Sequence, residues 1–420
     1  MITTINNKHK KLNVPNLRFP EFQGEWKKTT IGEIATIKNG PFGSVLHAED
    51  YVDEGMPIVT TEHFKSGNLP LSKNGIPQVS EDDYCRLKGY MLETDDIVFS
   101  RVGSVDINAH VEHVQQGWLF SGRVLRVRPI KSVNSLCLHY VLSTESVKRD
   151  IRNRAVGQTM PSINTPILSN TGIYMSQSEA EQKKIANLLS IIDERIATQN
   201  KIIDKLQSLI KGMEDNLLDN PLWEKTYLRS FMQFFPTNSL SWEQLSYKEG
   251  AIRNLHYGLI HGLQTRGINS ASLPMIKNEA IPKQYTLCQV GDVAFADASE
   301  DTGEIAKSVE YVDTIEGDTI CGLHTIHGRD IKNRTVVGFK GFAFNSRYFH
   351  NQIKRLAQGT KVFSITANNL SSCYVYLPDL ETQKAIVNLL KTYEAKLLVT
   401  KRLLEHYEKQ KQYLLRQMFI

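Results

Sequence analysis

Cys321-x2-His324-x2-His327 carries the residue types of a metal site. Thiolate and imidazole both bind zinc, but three ligands spaced by three suit neither one strand face nor a closed tetrahedral site. His110-x2-His113 has the same weakness. Both stretches are expected to be ordinary strand and turn residues, with no metal held by this chain. Asp379 followed by Glu394-Ala-Lys396 fits a loose nuclease pattern of carboxylates and a lysine. Glu394 and Lys396 are expected on solvated faces of a long helix, where charge needs no catalytic role. GxGxxG, GxxxxGK[ST] and HExxH are all missing, and with them nucleotide and metalloprotease chemistry. The Asn/Asp-Pro-Pro-aromatic loop of an amino-methyltransferase is missing as well. The expected set of catalytic residues is empty.

What remains is donor and acceptor side chains on loops. Arg123, Arg126 and Arg128 surround Leu125 and Val127. On a strand, Arg126 and Arg128 share the face opposite that apolar pair. Arg149, Arg152 and Arg154 lead into Gly157-Gln-Thr159, and Lys354 and Arg355 lead into Gly359-Thr-Lys361. A basic approach followed by a glycine turn bearing Gln, Thr or Lys could reach phosphates and then base edges. Basic turns at the same place in two halves strengthen that reading over a merely solvated loop.

Those loops must be held by larger elements, and the chain writes the elements twice. Glu179 to Ile196 reads EAEQKKIANLLSIIDERI, and Leu380 to Leu397 reads LETQKAIVNLLKTYEAKL. In the first copy, spacings of 4 and 3 alternate through Ile185, Leu189, Ile192, Ile196, Gln199, Ile203, Leu206, Ile210, Met213 and Leu217. The second copy runs Ile386, Leu390, Tyr393, Leu397, Thr400, Leu404, Tyr407, Lys411, Leu414 and Met418. Such heptad seams predict two helices of about 40 residues, ~60 Å each. Each seam needs a partner, and an intramolecular coiled coil supplies it. Ser178 with Glu181 makes a capping-box pattern, Asp379 is a good N-cap, and Asn220-Pro221 ends the first helix. Lys411 breaks the second seam.

The segments before the helices repeat too. Ala155, Gly157, Ser162, Ile163 and Leu168 recur as Ala357, Gly359, Ser364, Ile365 and Leu370, and Leu92–Phe99 resembles Leu287–Phe295. Short strand-like runs with Gly, Asn and Pro turns make both globules mixed α and β. Elsewhere they differ: Gly40-Pro-Phe-Gly43 and Gly258-Leu-Ile-His261 share little. The order is globule, long helix, globule, long helix, a duplicated module. The boundaries read as a tail over 1–19, globules over 20–177 and 220–378, and helices over 178–219 and 379–420. The fold class is α+β with an internal pseudo-two-fold repeat.

Composition agrees with a globular chain. The 420 residues are 41% hydrophobic and 23% charged, with a net charge of +5. That charge permits nucleic-acid binding without demonstrating it. Five widely spaced cysteines fit a reducing cytoplasm better than a disulfide framework. No apolar run suggests a signal peptide or a membrane span.

The Asn13-Val-Pro-Asn-Leu-Arg-Phe-Pro20 opening, Glu181-Gln-Lys-Lys-Ile185 and its echo Thr382-Gln-Lys-Ala-Ile386 resemble specificity subunits of type I restriction–modification enzymes. The resemblance covers residues 13 to 420, and its most specific feature is the order of elements. It implies a non-catalytic, cytoplasmic DNA-reading subunit. Each globule is then a target-recognition domain for one half of a split, asymmetric site in double-stranded DNA. The helices pack antiparallel, hold the domains apart and dock two methyltransferase subunits that methylate adenine N6. Restriction and translocase subunits complete the complex. S-adenosylmethionine, ATP and Mg²⁺ belong to those partners, and no cofactor is expected in this chain.

On this reading the candidate DNA contacts are His63, Lys65, Arg101, Arg126, Arg128, Arg154, Gln158 and Thr159 in the first half. In the second half they are His261, Gln264, Arg266, Arg355, Gln358, Thr360 and Lys361. The coiled-coil and docking candidates are Ile185, Leu189, Ile192, Ile196, Ile203, Leu206, Ile386, Leu390, Tyr393, Leu397, Leu404 and Tyr407. The Asp297–Lys307 stretch lacks the Arg-Val-Gly of Arg101–Gly103, so the two domains need not hold DNA alike. Two other classes fit the gross pattern. A helical scaffold with protein-binding globules predicts no salt-dependent DNA binding. A nuclease using Asp379, Glu394 and Lys396 predicts Mg²⁺-dependent cleavage.

Overall fold

A computed structural model describes residues 13–41, 45–263, 266–313 and 317–420. The chain forms two compact units, Met1–Thr198 with Leu403–Ile420, and Gln199–Arg402. Each unit therefore takes a stretch of both long helices, Glu179–Leu218 and Leu380–Gln417.

In unit 1, alternating apolar residues build an antiparallel sheet in the order Ala35–Asn39, Val124–Pro129, Ile97–Ser100, Asn108–His110. Its register pairs Ile97 with Val127 and Phe99 with Leu125, and all four are buried. A smaller sheet ends in a parallel pairing of Met56–Val59 with Leu119–Phe120. Unit 2 repeats this frame. Val293–Ala296 lies between Thr325–Asp330 and Ser308–Tyr311, and Ile252–Leu255 pairs parallel with Asp318–Cys321.

Matching backbone hydrogen bonds fix the equivalences. Ser121 N–H donates to Val59 O and Gly322 N–H to Leu255 O, both at 2.9 Å. Val111 N–H donates to Asp96 O at 2.8 Å, and Tyr311 N–H to Asp292 O at 2.9 Å. Each globule closes where its helix begins. Lys27–Thr30 pairs with Gly172–Met175, and Glu224–Tyr227 pairs with Tyr374–Leu377.

The doubled glutamine explains the doubled sequence. Gln182 Nε2 donates to Ser176 O (2.9 Å), and its Oε1 accepts Asn134 N–H (2.8 Å). Gln383 Nε2 donates to Pro378 O (2.9 Å) and Arg334 O (3.0 Å), and its Oε1 accepts Val336 N–H (3.0 Å). The two side chains are 3% and 0% exposed. Each uses one amide to satisfy backbone groups of its globule, and so pins the first turn of its helix.

The helix starts follow the expected caps, with one change. Asp379 Oδ1 accepts Thr382 N–H at 2.9 Å, and Ser178 Oγ accepts Glu181 N–H at 3.3 Å. The Glu181 carboxylate, fully buried, takes the Arg18 guanidinium at 2.7 and 2.9 Å instead of closing a capping box. That pair, with Leu17 N–H donating to Gln417 O at 2.8 Å, ties the Leu17-Arg-Phe segment to both helices of unit 1.

The seam residues are buried or half-buried, as the heptads predict. In unit 1, Ile185, Leu189 and Ile192 share a core with Leu414, Met418 and the globule residues Leu138 and Val141. Asp193 meets Lys411 at 2.6 Å, and Arg195 lies over the Tyr407 ring. In unit 2, Leu218 shares a core with Ile386, Val387 and Leu390. Within each unit the two helices thus run antiparallel. Lys411 makes an ion pair with Asp193 in the seam position that its charge breaks.

Each buried glutamine serves several otherwise orphaned backbone groups, so truncation leaves them unsatisfied. Gln182→Ala and Gln383→Ala should each destabilise the chain by about 1–3 kcal/mol in urea unfolding, against under ~0.5 kcal/mol for the exposed Gln207→Ala. Equal midpoints for all three would refute the clasp.

Candidate nucleic-acid interface

Three loops of unit 1 meet at one cleft of about 670 Å³. The turn after the Met56–Val59 strand brings Thr60, Thr61 and Lys65, the Arg101–Ser104 loop brings Arg101, and the Ser121–Arg123 turn brings Arg123. Close backbone approach packs a fourth stretch against them. A Cβ on Gly40 would lie 2.0 Å from Ser121 O, and one on Gly122 would lie 2.3 Å from Pro41 O. Phe42 and Gly43 lie outside the described residues.

Arg101 Nη1 donates to Gly122 O at 2.9 Å, and Arg101 N–H donates to Arg123 O at 3.0 Å. The Ser121 hydroxyl is buried at the cleft with no hydrogen-bond partner among the described residues. Lys65 is exposed and pairs with Glu62. His63 Nδ1 accepts Thr60 N–H at 3.0 Å, and burial, only partly opposed by Glu62, holds its pKa below the ordinary value. A neutral imidazole capping its own turn makes His63 a support for the loop.

The glycine turn sits beside the same loop. Val156 pairs with Ser162 across a hairpin, Ile163 N–H donates to Arg101 O at 2.9 Å, and Gly103 N–H donates to Pro161 O at 2.8 Å. Gly157 has φ +104°, and a Cβ there would lie 2.7 Å from Met160 O. Gln158 and Thr159 are exposed at the tip. In unit 2, Gln358 pairs with Ser364, and Gly359 has φ +129°. Gln358, Thr360 and Lys361 are exposed at that tip, and Arg355 is exposed ahead of it. Both hairpins need glycine at one place, which accounts for its recurrence.

The hydrogen bond from Arg101 to Arg123 has a counterpart in unit 2, where Asp297 N–H donates to His324 O at 3.0 Å. Ile365 N–H likewise donates to Asp297 O, as Ile163 does to Arg101 O. One backbone frame thus presents two guanidinium groups in unit 1 and a carboxylate with an imidazole in unit 2. Asp297 Oδ1 and His324 Nδ1 are 3.1 Å apart. Burial raises the Asp297 pKa against the opposing pull of His324. The Tyr257 ring stands edge-on to His324 and His261, with centroids 5.2 and 6.0 Å away.

Several candidates have other work. Arg128 has a structural role in this fold. Its guanidinium grips Asp96 at 2.7 and 2.8 Å and also reaches Glu93. Arg329 grips Asp292 in the same way at 2.8 and 2.7 Å. A pair that recurs in both frames, with each aspartate buried, joins two neighbouring interior strands of the sheet. Arg126, half-buried with a lowered pKa from burial, lies on the Val124–Pro129 strand and does not line the cleft. Arg154 pairs with Asp150 at 2.9 Å. His261 Nε2 donates to Ala298 O at 3.2 Å and faces Glu304. Gln264 lies outside the described residues.

Arg266 has a partner of its own. It faces Glu214 at 3.6 Å in a unit 2 cleft of about 470 Å³ that Glu394, Ile210 and Leu397 also line. Glu394 is therefore not a solvated helix charge. Nor can it join Asp379 at one metal, since fifteen residues of helix separate them by roughly 22 Å. Sequence reading passed over Asp297, His324 and Tyr257 because they lack the basic signature of the first half.

Burial, aided by Glu214 and opposed by Arg266, raises the Glu394 pKa to about 7. The folded chain then holds this proton more tightly than the unfolded chain, so this group's contribution to stability falls as pH rises from 4.5 to about 7. Glu394→Gln should raise stability by ~1–2 kcal/mol at pH 8, after discounting for partial exposure, and change it little at pH 4.5. Thermal unfolding at both pH values checks this, and an equal effect at both would exclude the shifted proton.

Among the described residues no helix is long and apolar enough to cross a membrane. A family model described as the type I restriction modification DNA specificity domain matches residues 23–208 and 322–408. The MjaX type I restriction enzyme specificity subunit of Methanocaldococcus jannaschii is 26% identical over 432 residues, spanning 96% of this chain and 95% of that one. The MjaVIII specificity subunit of the same organism is 24% identical over 413 residues, spanning 94% and 91%. The S subunit of a type I restriction–modification system from M. genitalium superposes with a TM-score of 0.61 at 15% identity, over 97% and 99% of the two chains. A chain from a structure on assembly and conformational transition of the type I system gives 0.54 at 13% identity, over 93% and 96%. At such identities the structural likeness concerns the fold.

Proposed function

Since this chain belongs to the type I restriction–modification DNA specificity family, we propose that it is the non-catalytic subunit that reads DNA sequence for such a complex. Each unit reads one half of a bipartite, asymmetric site. The observation that carries this is the shared backbone frame with different side chains, Arg101 and Arg123 against Asp297 and His324. Guanidinium groups donate to phosphates or to guanine O6 and N7, whereas a carboxylate can only accept, as from cytosine N4. Two readers of one frame and unlike chemistry suit two unlike half-sites.

The long helices set the distance between half-sites and present docking faces to two methyltransferase subunits. Those subunits methylate adenine N6 with S-adenosylmethionine, and restriction and translocase subunits use ATP and Mg²⁺. The complex works on double-stranded DNA in the cytoplasm. No step of catalysis is assigned to this chain.

With its methyltransferase partners, the chain should bind its duplex with an affinity that falls steeply as salt rises. Arg123→Ala should weaken discrimination in one half-site and His324→Ala in the other, each by about 1–3 kcal/mol in competition against site-variant duplexes. Salt-independent binding would favour a protein-binding scaffold, and loss in the same half for both variants would refute one reader per unit. Inserting four matched residues into both long helices lengthens each by ~6 Å, or ~2 base pairs of rise. The preferred spacer should lengthen accordingly; an unchanged spacer would rule out the helices as its ruler.

A further inference from the structure

The core of unit 2 holds a group of donors where unit 1 has three apolar residues and Arg126. Cys288 Sγ and Cys321 Sγ are 3.6 Å apart, and a ring nitrogen of His327 lies within 4.8 Å of both. All three residues are buried, at 6%, 3% and 1% exposure. The Tyr311 hydroxyl stands beside the two thiols, fully buried, where it interacts with both Cys288 and Cys321. His327 Nε2 is held by Asp292 at 2.7 Å, the carboxylate support that metal-bound histidines commonly have.

The backbone equivalences identify the same positions in unit 1. Cys288 corresponds to Leu92, Tyr311 to Val111 and Cys321 to Phe120. Leu92, Val111 and Phe120 are fully buried, and Arg126 takes the place of His327. Unit 2 instead gathers two sulfurs, an imidazole and a hydroxyl at one point between its two sheets. His324, three residues from each of Cys321 and His327, turns away to Asp297, so the local Cys-His-His spacing was the wrong set.

We propose that Cys288, Cys321 and His327 bind a zinc ion, with the Tyr311 oxygen as the fourth ligand. Tetrahedral zinc with sulfur at ~2.3 Å places two thiolates roughly 3.8 Å apart, near the observed separation. Two S–H bonds break as two Zn–S bonds form, and two protons leave to solvent, with no change of oxidation state. The ion ties Asp318–Cys321 and Thr325–Asp330, the strands on either side of the His324 turn, to Ser308–Tyr311, and so stiffens the floor of the second reader.

The test uses the full chain, reduced, stripped with a chelator and titrated anaerobically with Co²⁺. One equivalent should give the visible bands of tetrahedral cobalt with thiolate charge transfer, and Zn²⁺ should bleach them. Cys288→Ser, Cys321→Ser and Tyr311→Phe should weaken binding on the order of 10- to 100-fold, and Cys85→Ser should not change it. Because the wild-type titration needs no variant to fold, lack of a tetrahedral cobalt spectrum there overturns the proposal. So does a spectrum that survives intact in a folded Cys288→Ser/Cys321→Ser chain. A Cys288–Cys321 disulfide that, once reduced, takes up no cobalt would overturn it in favour of a redox pair.

Discussion

One buried amide on each long helix determines how a globule meets its helix. Gln182 and Gln383 sit in the first turn and spend both ends of their side chains on globule backbone. Glutamine suits this place because it donates and accepts at once without a charge to bury. A lysine or glutamate there would leave half of those groups unpaired and add a desolvated charge. With each helix start fixed in this way, the strand pairs that close each globule and the apolar residues behind them have a defined base to pack on.

Above that base the two units share a frame and differ in what it displays. The Asp96–Arg128 and Asp292–Arg329 pairs brace the same two neighbouring strands in both. The turns carrying Arg101 with Arg123, and Asp297 with His324, hang from the same backbone hydrogen bonds. Bracing contacts are therefore duplicated while display residues diverge. The recurrence also separates roles that charge alone cannot: Arg128 recurs as Arg329 and braces, whereas Arg123 becomes His324 and faces outward.

Much of this was legible in the sequence. The heptad seams named the long helices, the caps at Ser178 and Asp379 marked their starts, and the repeated Gly157 and Gly359 marked hairpins that need positive φ. The face shared by Arg126 and Arg128 was also correct, because strand alternation is local. Misreadings arose where a partner lies far along the chain. Arg128 looked free because Asp96 is 32 residues away. Glu394 looked solvated because Arg266 and Glu214 meet it only in the fold. Nor did local spacing show that Cys288 lies beside Cys321, 33 residues away. Asp297, His324 and Tyr257 were missed because a basic signature was sought where the second half uses none.

The most direct test of the central claim is to map N6-methyladenine in host DNA with and without this gene, while its methyltransferase partners are present and active. The account predicts one split, asymmetric motif whose methylation disappears on deletion. Methylation that persists unchanged at every site under those conditions would contradict the claim that this chain selects the sequence.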